Sequence, residues 1–357
     1  MPRRAWAVAI AVPLLFVVMN VALFFCCFVL PFGTSVRIIY NANTIHMPVL
    51  FALAGGAVLY AARGVPQPRA MQTVATLWLL LATAMVATRI YATHIEPHRL
   101  QVREVTIASP KVTRPFTLLH ISDIQSAAIG PYEQKVFDTV RGLNPDLILD
   151  TGDLLQPTPP LTYRTELPKV AALFRTLDPP LGMYMVEGDT TGPIGKVTAE
   201  QTGGIAYLHS RGQTIDVDGL RLRVFGLTLY DSTPTGSPAM RSTVASWLRE
   251  EPDTLSIVFG HRPDFILHMN DLPIDLCLAG HTHGGQIRLP FIGPLITFTR
   301  IPRDWARGFR EVGRTRLNVS AGIGAEHASG LPSIRINCPP EMTLIRIVPE
   351  TSETKTH

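Results

Sequence analysis

The protein has 357 residues, of which 46% are apolar and 17% are charged. This length and apolar content exclude a disordered chain and suffice for two domains, while the low charged fraction predicts apolar segments outside a water-soluble core. Residues 1–95 contain six Arg and no Lys, Asp or Glu, so the formal net charge of +4 for the whole chain becomes −2 for the remainder. Because the basic residues flank apolar segments, we expect no nucleic-acid partner.

Uncharged runs predict a membrane region of about three transmembrane helices within residues 1–95. Residues 5–36 carry no charge and exceed the ~20 residues that cross a bilayer core, and shorter runs follow at 47–62 and 71–88. A cleavable signal peptide is the alternative for the first run, because Arg3 and Arg4 precede it, but the run is longer than the usual apolar part of such a peptide. With that basic pair inside, we expect the rest of the chain on the extracytoplasmic side of the membrane.

Residues 96–350 alternate short runs of Val, Ile, Leu and Phe with helical patterns, which predicts an α/β domain. Residues 351–357 are predicted to form a disordered tail. The predicted strands span residues 116–121, 146–150, 183–186, 222–229, 255–259, 276–279, 316–320 and 342–348. The predicted helices span residues 132–143, 167–177 and 239–250.

Residues of types that can bind metals come directly after several of these strands, which is where α/β folds place their functional sites. In chain order they are Asp123, Gln125, Asp153, Asp189, His261, His281 and His283. Carboxylates and imidazoles together suit Mn, Fe or Zn ions. The most specific signal is the sequence GHTHGG at 280–285, because a core histidine needs neither a glycine-lined turn nor a partner histidine two residues later.

These motifs resemble the calcineurin-like metallophosphoesterase superfamily, whose blocks read D-x-H, G-D, G-N-H, a lone H and G-H-x-H. The resemblance covers residues 115–348. The sequences GHTHGGQIRLPFIGP (280–294), VSAGIG (319–324) and CPPE (338–341) are similar to its bacterial membrane-associated branch. The resemblance implies a metallophosphoesterase-type β-sandwich flanked by helices, two divalent metal ions and hydrolysis of a phosphodiester by a metal-bridging hydroxide.

The resemblance also implies a role for each matching residue. Asp123 and His283 would bind the first metal ion, Asp153 would bridge both, and His261 and His281 would hold the second.

Two motifs depart from the family pattern. Gln125 stands where the family has the histidine of D-x-H, and Asp189 with Thr190 stands where it has the asparagine and histidine of G-N-H. Gln125 and Asp189 still offer oxygen ligands, but a threonine hydroxyl is a poor substitute for an imidazole that stabilises the transition state or protonates the leaving group. Thr190 therefore places catalytic efficiency in doubt, whereas metal binding is still expected.

Two functions follow as hypotheses. The first is a membrane-anchored, metal-dependent phosphoesterase that acts on a phosphorylated small molecule, a lipid or a lipid-linked nucleotide. The alternative is a catalytically impaired relative that binds metal and a phosphorylated ligand or partner in a regulatory role.

Other residues allow a less specific interpretation. His120 is expected in the core or beside the site, and the six arginines between Arg300 and Arg316 are expected on a solvated hairpin, although they could line a site for an anionic group. His327 and Arg335 lie near loops that could contact a phosphate, but neither is predicted to do so.

Overall fold

The computed structural model describes residues 2–26, 29–63, 65, 68–190, 198–236, 238–327 and 332–350. These residues form two compact units. The first contains the described residues up to Ile95 with His327 and Pro332, and the second contains those from Glu96 to Glu326 and from Ser333 onward. The tail predicted at 351–357 lies outside the described residues.

The first unit is helical. Its helices are α1 (Pro2–Cys26), α2 (Phe32–Asn41), α3 (Met47–Ala62) and α4 (Arg69–Ile90), with π-helical turns at Ala42–His46 and Tyr91–Ile95. Three segments are long and apolar enough to cross a membrane, as the sequence predicts: Trp6–Phe25, Thr34–Ala62 and Arg69–His98. Within this unit α3 approaches α4 closely at Gly55, where a Cβ atom would lie 3.1 Å from the carbonyl oxygen of Ala75.

The uncharged run 5–36 is not one helix, contrary to the prediction. Helix α1 ends at Cys26, and α2 begins at Phe32 and continues through a π-helical turn into α3. Pro31 precedes α2 in an extended conformation with ψ of 140°. Proline lacks a backbone N–H and disfavours helix in the residue before it. The run therefore supplies the first candidate span and the beginning of the second.

The second unit contains fourteen strands and four α-helices among its described residues. The strands are β1 (Gln101–Ser109), β2 (Phe116–Ile121), β3 (Leu147–Asp150), β4 (Met183–Met185), β5 (Ala206–Tyr207), β6 (Arg211–Val217), β7 (Leu220–Gly226), β8 (Leu255–Phe259), β9 (Leu276–Ala279), β10 (Arg288–Leu289), β11 (Gly293–Pro294), β12 (Gly308–Val312), β13 (Thr315–Val319) and β14 (Glu341–Pro349). The helices are α5 (Pro131–Leu143), α6 (Tyr163–Phe174), α7 (Pro238–Glu250) and α8 (Ile266–Met269).

Twelve of these strands form two six-stranded sheets. The first has the order β1-β14-β2-β3-β4-β5, and the second has the order β12-β13-β9-β8-β7-β6. Strands β2, β3 and β4 run parallel in the first sheet, and β7, β8 and β9 run parallel in the second. The carboxyl ends of neighbouring parallel strands lie at one edge of a sheet. The predicted metal-ligand motifs come directly after these carboxyl ends.

Alternating residues of the strands face two different layers. Leu118 and Leu149 of the first sheet share a buried cluster with Ile257 and Leu278 of the second. Their neighbour Leu119 faces the other way and packs with residues of α5 and α6, while the outer face of the second sheet packs with α7 and α8. The predicted β-sandwich flanked by helices is therefore confirmed.

All eight predicted strands and all three predicted helices are present, with ends that differ by up to four residues. The prediction missed the sheet strands β1, β5, β6 and β12 and the small hairpin β10-β11. The arginine-rich segment forms the expected hairpin, in which β12 pairs antiparallel with β13.

Candidate metal centre

Five of the predicted site residues have a backbone that side-chain-bearing residues rarely adopt. Asp123, Gln125, Asp153, His281 and His283 have φ values of 49°, 39°, 57°, 66° and 47°. Positive φ is sterically unfavourable for residues with a Cβ atom and is concentrated at functional sites. The loops that follow β2, β3 and β9 therefore hold these side chains at a cost in backbone energy.

Two glycines let the acidic side chains pack against neighbouring loops. A Cβ atom at Gly188 would lie 2.1 Å from Asp153 Oδ1, and one at Gly280 would lie 1.8 Å from Ser122 Oγ. Both distances are far below van der Waals contact, so any larger residue at either position would displace the side chains of the centre.

Acidic and imidazole groups from five strand ends meet in two clusters. Ligand atoms of Asp189, His261 and His281 lie within 4.8 Å of one another, and so do those of Asp123, Asp153 and His261. His283 lies beside the second cluster, with its Nε2 3.7 Å from Asp123 Oδ1. The structure thus brings together six of the seven side chains predicted as ligands.

The two clusters share His261, which lies between two carboxylates. Its Nε2 lies 3.4 Å from Asp153 Oδ2 and 3.5 Å from Asp189 Oδ2, while its Nδ1 lies 2.9 Å from the carbonyl oxygen of Thr151. A hydrogen bond from Nδ1 to a carbonyl orients the ring and presents Nε2 as a ligand atom. The bridging role that the resemblance gives to Asp153 stays a prediction.

The donor set fits divalent transition-metal ions. His261 Nε2, His281 Nε2 and His283 Nδ1 are buried and form no hydrogen bond with the described residues. Buried polar atoms usually have a partner, so three unpartnered nitrogens on imidazoles that lie among three carboxylates fit a site for a cation.

The electrostatics of the centre favour a cation. Burial acts to lower the pKa of His261, but the carboxylates of Asp153, Asp189 and Asp123 together outweigh it and raise that pKa well above its ordinary value. Burial acts to raise the pKa of Asp189, yet the neighbouring imidazoles of His261 and His281 bring that pKa far below the usual range. Burial raises the pKa of Asp123 to about 6. A divalent ion would compete with the imidazole proton for this negative potential.

Comparison with known proteins agrees with this geometry. The profile of the calcineurin-like phosphoesterase family matches residues 116–285. The metallophosphoesterase YkuE of Bacillus subtilis strain 168 is 31% identical over 267 residues, which cover 72% of this chain and 88% of that protein. This chain belongs to the calcineurin-like phosphoesterase family.

Two other relatives have more specific names. The phosphodiesterase YaeI of Escherichia coli K12 is 26% identical over 243 residues, covering 66% of this chain and 83% of the relative. The UDP-2,3-diacylglucosamine pyrophosphatase LpxG of Chlamydia trachomatis is 27% identical over 335 residues, covering 77% of this chain and 97% of the relative.

Gln125, where the family pattern has histidine, is held by an acidic residue that the sequence did not single out. Its Nε2 donates to Glu326 Oε2 at 2.9 Å, and Gln156 Nε2 donates to the other oxygen of Glu326 at 2.8 Å. Gln125 Oε1 is buried and forms no hydrogen bond with a described residue. Glu326 therefore fixes the amide so that its nitrogen is used and its oxygen is available as a ligand.

Thr190 contributes through its backbone. Its N–H donates to Asp153 Oδ1 at 2.8 Å, while its hydroxyl is buried without a hydrogen bond to any described residue. Asp189, the residue before Thr190, pairs with Arg262, whose Nη2 lies 3.1 and 3.0 Å from the two carboxylate oxygens of Asp189. The sequence analysis missed Arg262 as a residue of the site. Its position directly after His261 is the sequence feature that could have identified it.

A chain of hydrogen bonds links the interior of the sandwich to Asp123. Asn318 Nδ2 donates to His120 Nδ1 at 2.8 Å, so His120 Nε2 is the donor toward Thr151 Oγ1 at 3.1 Å. Thr151 Oγ1 donates to Ser122 Oγ at 2.7 Å, and Ser122 Oγ donates to Asp123 Oδ2 at 2.5 Å. His120 is fully buried. It therefore has both of the roles that the sequence allowed, in the core and behind the site.

Arg335 does not face a phosphate site. Its side chain is fully buried, and it donates to the carbonyl oxygens of Ala321 at 2.7 Å and Cys338 at 3.0 Å, and also to that of Gly324. It connects the loop after β13 with the segment before β14. His327 groups with the first unit.

Proposed function

We propose that this phosphoesterase is a membrane-anchored, metal-dependent enzyme that hydrolyses a phosphodiester or phosphoanhydride carried by a lipid or a lipid-linked nucleotide. The observation that carries the proposal is the meeting of three carboxylates and three imidazoles whose free ring nitrogens are buried. The candidate spans support the anchor. The names of two relatives, a phosphodiesterase and a pyrophosphatase of a nucleotide-linked lipid, support the substrate class.

The proposed ligands divide between two ions. Asp123, His283 and Gln125 would hold the first, and His261, His281 and Asp189 would hold the second, with Asp153 between them. When bound, divalent ions of Mn, Fe or Zn type would lower the pKa of water and neutralise charge that develops on the phosphoryl oxygens.

The residues of the chain then have separate tasks. The N–H of Thr190 and the backbone N–H of His281 orient Asp153 and Asp123, respectively. Arg262 provides a fixed positive charge beside Asp189, one residue from the position where the family has its histidine. We assign to Arg262 the stabilisation of negative charge on the phosphoryl group or leaving group, which an arginine performs through its planar set of donors.

Metal content and hydrolysis measured on one preparation test this function. Full-length protein purified in detergent and supplied with Mn²⁺ should contain about two ions per chain and hydrolyse bis(4-nitrophenyl) phosphate. Asp153→Asn should abolish the hydrolysis, whereas Asp178→Asn, a matched change at an exposed position, should leave it unchanged. Less than half an ion per chain in the wild type would refute the proposed centre.

The alternative function, a regulatory relative that binds a phosphorylated ligand without hydrolysing it, rests on the lack of an imidazole at Thr190. It would be favoured by full metal occupancy together with no turnover of any phosphodiester. The placement of the soluble domain outside the cytoplasm stays a prediction from the arginine distribution alone.

A further inference from the structure

We propose that an apolar hairpin beside the metal centre docks into the head-group region of the bilayer. The apolar hairpin consists of residues 288–296 and contains β10 and β11. The proposal rests on the membrane anchor and lipid-borne substrate proposed above, and it adds a surface through which the enzyme reaches that substrate.

The exposure of the hairpin is the first observation. Phe291 is fully exposed at 109%, and Ile292 is 62% exposed. Leu289, Leu295 and Ile296 are exposed by 38%, 44% and 46%. Contiguous apolar side chains of this kind are uncommon on water-facing surfaces and mark a binding surface.

The backbone at the tip is the second observation. Phe291 has a φ of 65°, a conformation in which glycine or asparagine is strongly favoured over a bulky side chain. A phenylalanine there has an unfavourable backbone conformation and exposes its apolar ring to solvent. Because the ring is fully exposed, packing within the domain does not offset either cost. Phe291 therefore has the properties expected of a side chain whose binding partner lies outside the protein.

The charge around the hairpin is the third observation, and it favours a lipid surface over an apolar protein partner. Residues 286–303 contain three arginines and no acidic residue. Arg300 and Arg303 are exposed, and neither forms an ion pair with a described residue. Apolar side chains flanked by free arginines complement acyl chains below a layer of phosphate groups.

The hairpin is fixed to the metal centre. Arg288 Nη1 donates to the carbonyl oxygen of Gly284 at 2.9 Å, next to His283 in the chain. The N–H of Arg288 also donates to the carbonyl of Ile336 at 3.0 Å, which pins the base of the hairpin. A docked hairpin would hold the centre at the level of lipid phosphates. Because only Arg99 and Leu100 separate the candidate span Arg69–His98 from β1, a weak contact is sufficient at the high local concentration of a tethered domain.

Spin labelling of the full-length protein in liposomes tests the docking without relying on hydrolysis. Phe291→Cys is labelled in a background with Cys26 and Cys27 replaced by Ser, since Cys277 and Cys338 are fully buried. The label should become accessible to oxygen and protected from a water-soluble nickel reagent, more so with anionic phosphatidylglycerol present. The control label at Gln213→Cys, an exposed position on β6, should stay accessible to nickel. Equal nickel access at both positions would overturn the docking, as would dipolar broadening between labels, which would instead indicate contact between two copies.

The second measurement compares two substrates. The double variant Phe291→Ser/Ile292→Ser should lose activity several-fold toward a phosphodiester lipid in vesicles and keep its activity toward bis(4-nitrophenyl) phosphate. An equal loss on both substrates would refute the role of the hairpin in substrate access. If the wild type hydrolyses neither substrate, the proposed function fails, while the spin-label result still decides whether the hairpin docks.

Discussion

His281 contacts the acidic groups of the centre through two different parts of the residue. Its backbone N–H lies 3.1 Å from both carboxylate oxygens of Asp123, and its ring Nδ1 lies 2.8 Å from Asp189 Oδ2. His281→Ala keeps the backbone contact and removes the ring, so we expect loss of about one of two bound ions with the fold retained. Elemental analysis and circular dichroism measure the two effects. His209→Ala, at an exposed histidine, is the control and should retain both ions.

The replacement of the family histidine by Thr190 is tested with a poor leaving group. General acid assistance typically contributes roughly 10² to 10⁴-fold. If catalysis is impaired, Thr190→His should raise the turnover of an alkyl phosphodiester by about 10²-fold. If Arg262 has taken over the task, Arg262→Gln should lower that turnover by about 10²-fold and Thr190→His should not help. Arg211→Gln, at an exposed position on β6, is the matched control. No turnover in any variant would favour the regulatory function.

His120 should make the stability of the domain sensitive to acid. Burial lowers the pKa of His120 to about 3, whereas an exposed histidine titrates near ~6.5. Between these values the unfolded chain binds more protons than the folded one, so stability falls as the pH falls, by up to ~1.4 kcal/mol per pH unit. His120→Gln keeps a donor and an acceptor and removes this titration. Thermal melts of the variant should therefore depend less on pH between about 6.5 and 4 than those of the wild type. A parallel pH dependence in both proteins would contradict the prediction, and His209→Gln should behave as the wild type.

At the scale of elements, the buried parallel strands are the ones that the sequence predicts best. Strands β2, β8 and β9 have the predicted bounds because each is a mostly apolar run that is buried on both faces. Strands β1 and β6 were missed because they lie at sheet edges and contain charged residues on exposed faces. Their pairing depends on partners elsewhere in the chain, which periodicity does not report.

The residues of the metal centre divide in the same way into those that the sequence predicts and those that it misses. The acidic residues and histidines that follow strands beside glycines were predicted to meet, because the strands themselves were predictable. Glu326 was missed because it contacts Gln125 across 201 residues of sequence and belongs to no motif. Ser122 directly precedes Asp123 in the chain. Its position in the hydrogen-bond chain depends on Thr151, which a different strand supplies.

Arg335 should be essential for the loops that it connects. It donates to the backbone carbonyls of Ala321, Gly324 and Cys338, and each hydrogen bond from a charged group contributes about 1.5 to 3 kcal/mol. Arg335→Met should therefore lower the free energy of unfolding by about 3 kcal/mol or more. Denaturant unfolding of the purified protein measures this. Arg175→Met, at an exposed position, should change it by less than about 0.5 kcal/mol. Equal stability of the two variants would show that the loops hold together without the buried guanidinium.

At the scale of the whole molecule, the decisive property is whether the first apolar run is retained. A signal peptide would be removed, whereas three spans would hold the chain in the bilayer after the contacts of peripheral proteins are broken. The interruption at Pro31 makes the test sharper, because cleavage near that residue would remove α1 and leave the segment Thr34–Ala62 intact.

We therefore expect the full-length chain to stay in the membrane pellet after extraction with alkaline carbonate, and its amino terminus to begin before α1. Extraction removes proteins held by charge but does not remove transmembrane helices, since their apolar surface has no favourable place in water. Intact mass together with the pellet fraction separates the possibilities. A pelleted chain that begins near residue 30 would mean that the first run is a cleaved leader and that the remaining two candidate spans form the anchor. A soluble chain would refute anchoring altogether, and with it the reason for expecting a lipid-borne substrate.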